Sequence, residues 1–276
     1  MTKSCYICKS RRMDNMRKFI RITALSALAV LAVACFGKKK LVKATYEEYL
    51  MVPMTETSQD SLDIQISLEY PVGGVEDSVR AKMVENLLFA AFDVNYDLPS
   101  VDSAAVRYRN DLIEEYLQAQ EEYANFISAN NTVMENNLFR WRDYVYGYFT
   151  DREYKGLITY VVELQHDRGG AHPNNTVNAT VFNRLTGDVV VEADLFNEGF
   201  EDKVTELLNE HLLQALDGDE DALQAVYPGV LSCNGNFEAG KEGITFYYNP
   251  NEIAPSYLGV IAVRIPWSEL QGILKI

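Results

Sequence analysis

Leu62-Asp63-Ile64-Gln65-Ile66-Ser67-Leu68-Glu69-Tyr70 alternates apolar and polar side chains without a break, and Pro71 with Gly73-Gly74 closes the run. Successive side chains of a strand point to opposite faces, so this pattern predicts a strand with one face buried and the other left to polar groups. Downstream the period changes. Val79, Met83 and Leu87, with Val84, Leu88 and Phe92 beside them, predict an amphipathic helix. Ser100, behind Pro99, reads as the N-cap of a longer helix with a buried stripe of Ala105, Tyr108, Leu112, Tyr116, Ala119, Tyr123 and Ile127. Glu114, Glu115, Glu121 and Glu122 fall mainly off that stripe and read as a solvated face.

The second half returns to period two. Tyr144, Tyr146 and Tyr148 share one face of a predicted strand, Ile158 to Gln165 form another, and Val177 to Phe182 and Val189 to Val191 flank a hairpin at Leu185-Thr186-Gly187-Asp188. A third helix is marked by Phe200, Val204, Leu207, Leu208, His211, Leu212 and Ala215. Ile244 to Tyr248 and Val260 to Ile265 are expected to close the sheet, followed by a short helix over Ser268 to Leu274. Helices lying between runs of hairpin-connected strands predict an α+β fold, a mainly antiparallel sheet with three helices packed against it.

The N-terminus carries different information. Met16-Arg17-Lys18-Phe19-Ile20-Arg21 is basic, Ile22 to Ala34 is apolar but short for a permanent span, and Cys35 follows small residues. This reads as a lipoprotein signal peptide, residues 1–35, whose Cys35 takes a lipid after cleavage. Ala32 stands where the usual lipobox has leucine, with Leu31 one position early. An ordinary secretory leader with an incidental cysteine is the competing reading. The expected product is exported and lipid-anchored to a membrane, facing the periplasm or the cell exterior, with 36–58 as a flexible tether and 59–276 folded, divisible near residue 150 into parts 59–150 and 151–276. Met13 or Met16 is an alternative start, and Cys5 and Cys8 lie in the discarded region.

The whole chain has 25 Lys/Arg and 40 Asp/Glu; removing the leader's seven basic residues and one acidic residue leaves 18 against 39, a mature charge of −21. Phosphate binding needs clustered Lys and Arg, so no nucleic acid is expected as a partner and basic partners are favoured; acidity that serves only to keep an envelope protein soluble is the competing reading. His166, His172 and His211 are separated, with no H-E-x-x-H or His/Cys cluster, so no metal or other cofactor is expected. The chain also lacks a G-x-S-x-G, a phosphate-cradling glycine loop and a papain-like context around Cys233, so no catalytic residue is assigned.

One loop stands out. Gly169-Gly170-Ala171-His172-Pro173 follows a strand and precedes Asn174-Asn175-Thr176; two glycines permit a tight turn and proline fixes its exit. With Thr186-Gly187, Asp194-Leu195-Phe196, the run Phe246-Tyr247-Tyr248-Asn249-Pro250-Asn251-Glu252-Ile253-Ala254-Pro255, Gly259, and Ile265-Pro266-Trp267-Ser268-Glu269-Leu270, this segment resembles the C-terminal domain shared by the anti-sigma factor RsiV and the peptidoglycan deacetylase PdaC. The match runs over roughly residues 155 to 275, and the region from about residue 60 is similar to the companion N-terminal part. Asn251 departs from the tyrosine usual before Glu-Ile-Ala-Pro, and Asn183-Arg184-Leu185 departs from the usual hairpin approach.

The resemblance implies a non-catalytic binding module of the cell envelope. Its RsiV side implies a lysozyme-type muramidase as ligand, and its PdaC side implies peptidoglycan; neither a deacetylase motif nor a sigma-binding segment is found in this sequence. Candidate ligand-binding residues are Gly169, Gly170, Ala171, His172, Pro173 and Asn174 in the loop, with Tyr248, Asn249, Glu252 and Tyr257 beyond it. Two other readings stay open: a glycan hydrolase pairing acids such as Glu163, Asp167, Asp194 or Glu252, and a structural envelope protein without a small ligand.

Overall fold

The computed structural model describes residues 40–53, 60–93, 98, 100–130, 139–169 and 173–275. Cys35 and the leader lie outside them. The alternating run forms β2 (Ser61–Gly73), which pairs antiparallel with β1 (Val42–Pro53) and parallel with β3 (Arg140–Phe149). Between β2 and β3 lie α1 (Asp77–Phe92) and α2 (Val101–Asn130). Strands β4 (Leu157–Asp167), β5 (Asn174–Asn183) and β6 (Val189–Val190) continue antiparallel, giving a six-stranded sheet in the order β1-β2-β3-β4-β5-β6. The parallel β2–β3 pair follows from the helical crossover, which returns the chain to the same end of the sheet.

The fold is α+β. Six helices are present among the described residues, the others being α3 (Glu192–Leu195), α4 (Glu201–Ala215), α5 (Glu220–Ala225) and α6 (Trp267–Leu270). None is long and apolar enough to cross a membrane. Ser100 caps α2 as expected: its Oγ accepts from the Ser103 N–H at 3.2 Å, while the Ser103 Oγ accepts from the Ser100 N–H at 3.2 Å.

Two expectations are corrected. The tether predicted over 36–58 contains β1, a twelve-residue strand that buries Ala44, Tyr46, Leu50 and Val52. Its alternation is interrupted to the eye by Glu48, which points inward at 4% exposure and is held by the Tyr46 hydroxyl and Arg109 Nη1, both at 2.6 Å. A charge pointing inward from an edge strand also discourages pairing with another chain. Secondly, Ile244 to Tyr248 and Val260 to Ile265 do not close the large sheet. They lie in β8 (Gly243–Tyr248) and β9 (Ile261–Pro266), which with β7 (Phe237–Ala239) make a separate three-stranded sheet.

There are accordingly two cores. On one face of the large sheet Leu62, Ile64, Ile66, Leu68, Val145, Tyr160 and Val162 meet Met83, Leu87, Phe92, Leu112 and Tyr116 of α1 and α2. On the other face Leu157, Val181 and Val190 join Val204, Leu208, Phe237, Ile244, Phe246, Val263 and Ile265 of α4 and the small sheet. The first half of β4 is therefore buried on both sides, Leu157 to Val162 without exception. The small sheet does not extend across β1, β2 and β3, where Tyr49, Met51 and Tyr148 are exposed.

Candidate functional site

The end of β4 is built on a buried carboxylate. Asp143 of β3 has no exposure, and it accepts from the Tyr108 hydroxyl at 2.6 Å, meets His166 Nδ1 at 2.7 Å, and accepts from Arg168 Nη2 at 3.2 Å. Arg168 also lies 4.4 Å from the Trp141 ring centroid and 3.1 Å from Glu115. Asp143 and His166 are register partners, so the sheet brings them together and α2 supplies the tyrosine. This cluster fixes the chain entering the loop. At that entry Gly169 has φ +78° and donates its N–H to Asp167 Oδ1 at 3.2 Å.

A side chain at this left-handed position is strained even though a Cβ there meets nothing. Gly169→Val is expected to cost about 1–2 kcal/mol, read as a lower denaturant midpoint. An unchanged midpoint would show that the glycine is incidental. Pro173 and Asn174 are exposed; Gly170, Ala171 and His172 lie outside the described residues.

Most of the second group of predicted ligand contacts has structural work instead. Tyr248 is 1% exposed and its hydroxyl donates to the Ser232 carbonyl at 2.8 Å, so it is removed from the ligand-binding set. Asn249 Oδ1 accepts the Val177 N–H at 2.8 Å, and Glu252 Oε2 accepts the Asn249 N–H at 2.8 Å while Oε1 accepts from Asn234 at 2.7 Å. Asn236, which sequence reading passed over, accepts from the Ala179 N–H at 2.7 Å and donates to the Val177 carbonyl at 2.7 Å. Asparagine amides thus stand in for a missing neighbour strand along β5, which pairs with β6 only at Val181 and Phe182. Of these residues Tyr257 is 72% exposed and makes a large apolar surface, and Glu252 is exposed as well while its carboxylate is engaged.

The broader surface is the part of the large sheet's outer face that no other described residues cover. Register aligns Tyr49, Gln65, Tyr144, Gln165 and Asn175 in one row across β1 to β5. The adjacent row is Glu47, Ser67, Tyr146, Glu163 and Val177. Tyr144 and Tyr146 meet edge to face at 6.4 Å between centroids, and the Tyr148 hydroxyl donates to Glu163 at 2.8 Å. Burial, then the Glu163 hydrogen bond, pushes the Tyr148 phenol up to about 12, and burial also raises Tyr144 and Tyr146. Tyr144, Tyr146 and Tyr148 therefore keep their protons near pH 7, with the amides of Gln65, Gln165 and Asn175 in the Tyr144 row and the carboxylates of Glu47 and Glu163 in the Tyr146 row. Sequence identified the Tyr144, Tyr146 and Tyr148 face; the amide row opposite it depends on register.

The acids considered for hydrolysis are scattered in their roles. Glu163 holds Tyr148, Asp167 lies 3.8 Å from Arg142, Asp194 accepts the Val191 N–H at 3.0 Å at the start of α3, and Glu252 closes the Asn249 turn. Among the described residues no group of three His, Cys, Asp or Glu side chains is placed to hold a metal ion. Two hollows among the described residues lie elsewhere, one beside Glu210 and Asp217, the other beside His211 and Arg264.

Residues 193–268 match DUF3298. That family is described as a protein of unknown function. The matched stretch begins at α3 and covers α4, α5, the small sheet and the start of α6. The fold extends further: a crystal structure of a DUF3298 family member from Bacteroides fragilis superposes with a TM-score of 0.76 at 19% identity, covering 87% of this chain and 95% of that one. A DUF3298 family protein from Pseudomonas aeruginosa gives 0.60 at 16% identity, covering 86% and 96%. These likenesses establish the fold alone. No match was found among curated proteins.

Proposed function

We propose that this chain is a non-catalytic binding module of the cell envelope, anchored by a lipid on Cys35, whose ligand is a basic muramidase of the lysozyme type. The observation that carries the reading is the uncovered tyrosine face on a chain of mature charge −21. Tyrosines offer large contact area at little conformational cost and are enriched at the energetic centres of protein interfaces. Opposite net charge speeds the encounter with a basic enzyme. The sequence resemblance to RsiV supports the choice of partner. Against hydrolysis stands the separate structural engagement of Asp194 and Glu252, each tied to a backbone N–H of its own turn.

Peptidoglycan is the second reading, favoured by the uncharged row of Gln65, Tyr144, Gln165 and Asn175, whose rings and amides suit sugar faces and hydroxyls. Retention of a lysozyme-type muramidase on the immobilised protein, compared with sedimentation on purified peptidoglycan, separates the two. The muramidase is expected to bind and to be released as salt rises past about 0.1 M, where the screening length falls to about 10 Å. Binding to peptidoglycan alone would overturn the choice of ligand.

A further inference from the structure

Where the uncovered face meets the small sheet, Tyr148 of β3, Glu163 of β4, Glu238 of β7, Tyr247 of β8 and Arg152 of the β3–β4 connection form a corner. Its hydrogen bonding is one-directional. The Tyr148 hydroxyl donates to Glu163 at 2.8 Å and the Tyr247 hydroxyl donates to Glu238 at 3.0 Å. A phenol has one proton, so both hydroxyls, once turned toward these carboxylates, offer only lone pairs to a ligand. Burial and the adjacent carboxylates raise both phenols above their ordinary value, which keeps those protons in place.

Charge is unbalanced in the same place. Glu238 is 3% exposed, and its Oε1 accepts no hydrogen bond. The cation opposite that oxygen, Arg152, stands 3.9 Å away with its side chain 60% exposed to water. Glu163 is exposed and has no cation of its own among the ion pairs of the described residues. One of the two carboxylates therefore has a single loosely held guanidinium and the other has none, and a buried carboxylate with an unused acceptor gains most from an added cation because the surrounding dielectric is low. The Tyr146 ring, directly across the β3–β4 pair from Glu163, and the Tyr148 ring add faces on which an ammonium or guanidinium is stabilised.

We infer that this corner is a subsite for one cationic side chain, lysine or arginine, of a basic partner protein. The inference rests on the reading that the ligand is a protein, and it assigns a place on the face to part of that partner's positive charge. An anion would meet two carboxylates here. Arg152 is the gatepost: long, exposed and only loosely paired, it can shift outward as the incoming cation takes over the charge of Glu238.

The test uses the full chain in neutral detergent, titrated with a trilysine peptide and with the same peptide acetylated on its side chains. Trilysine is expected to bind and the acetylated peptide to fail. Glu163→Gln should weaken trilysine about tenfold, the loss of one charge-assisted hydrogen bond, with thermal unfolding unchanged. Glu114→Gln, an exposed carboxylate on α2, should leave the affinity as it was. Equal losses in both variants would mean diffuse attraction to an acidic surface and would overturn the subsite, as would an unchanged affinity in Glu163→Gln. A lysozyme-type muramidase is titrated in parallel. If it binds while trilysine shows no dependence on Glu163, the subsite fails and the muramidase reading stands. If trilysine depends on Glu163 and the muramidase does not bind, the subsite stands and the choice of partner fails.

Discussion

Asp143→Ala is expected to lower unfolding stability by about 3 kcal/mol, at the lower edge of the range for breaking a buried charge pair. The carboxylate is wholly buried and is the shared acceptor of Tyr108, His166 and Arg168. Removing it takes the carboxylate acceptor from the Tyr108 hydroxyl, His166 Nδ1 and Arg168 at once. Arg168 limits the damage, because its side chain is 34% exposed and keeps Glu115 at 3.1 Å. The loss should appear in urea unfolding, and the β4–β5 loop should become more susceptible to proteolysis than the rest of the chain. A loss below about 1 kcal/mol would place the anchoring of that loop elsewhere.

Gly147→Val should cost a comparable amount, again about 3 kcal/mol, the upper end for overpacking a core. Gly147 lies between Tyr146 and Tyr148 on β3, and its inward position is occupied by the Tyr160 ring from β4. A Cβ there would overlap Tyr160 Oη and stand 2.7 Å from Tyr160 Cζ and 2.8 Å from Leu68 Cδ2. Tyr160 has little room to move: it has no exposure and packs edge to face on Phe149 at 4.8 Å. The missing side chain at 147 is thus what allows an outward row of tyrosines to sit over a filled core. Near-ultraviolet circular dichroism and thermal melting check this, and a variant as stable as the parent would contradict the packing described.

The elements that were legible in sequence are those whose pattern is local. The run from Leu62 to Tyr70 announces β2 because every second residue faces one core, and the three-and-four spacing of Ala105 to Tyr116 announces α2. β1 was hidden by Glu48, whose inward position makes sense only once Arg109, 61 residues later, is seen beside it. The separation into two sheets was hidden for a related reason: an alternating strand does not specify its neighbour, and β7, three residues long, carries almost no signal.

The candidate site divides the same way. Glycine at 169 could be read from turn chemistry, and it does hold a positive φ. Asn249 and Glu252 looked like ligand groups because an amide that satisfies a strand edge has the same composition as one that meets a sugar. The outward face of Tyr144, Tyr146 and Tyr148 was visible in the alternation, but its lack of cover depends on where the small sheet stops.

The most direct test of the binding account is calorimetric titration of a lysozyme-type muramidase into the full chain in neutral detergent at low salt, with Tyr144→Ala/Tyr146→Ala as the comparison. Both rings lie on the uncovered face of β3, so the double variant is expected to keep its fold while losing contact area at the centre of the interface. The account predicts saturable binding by the parent and a loss of about tenfold or more in the variant. Absence of heat from the parent, or equal affinities for the two proteins, would contradict it.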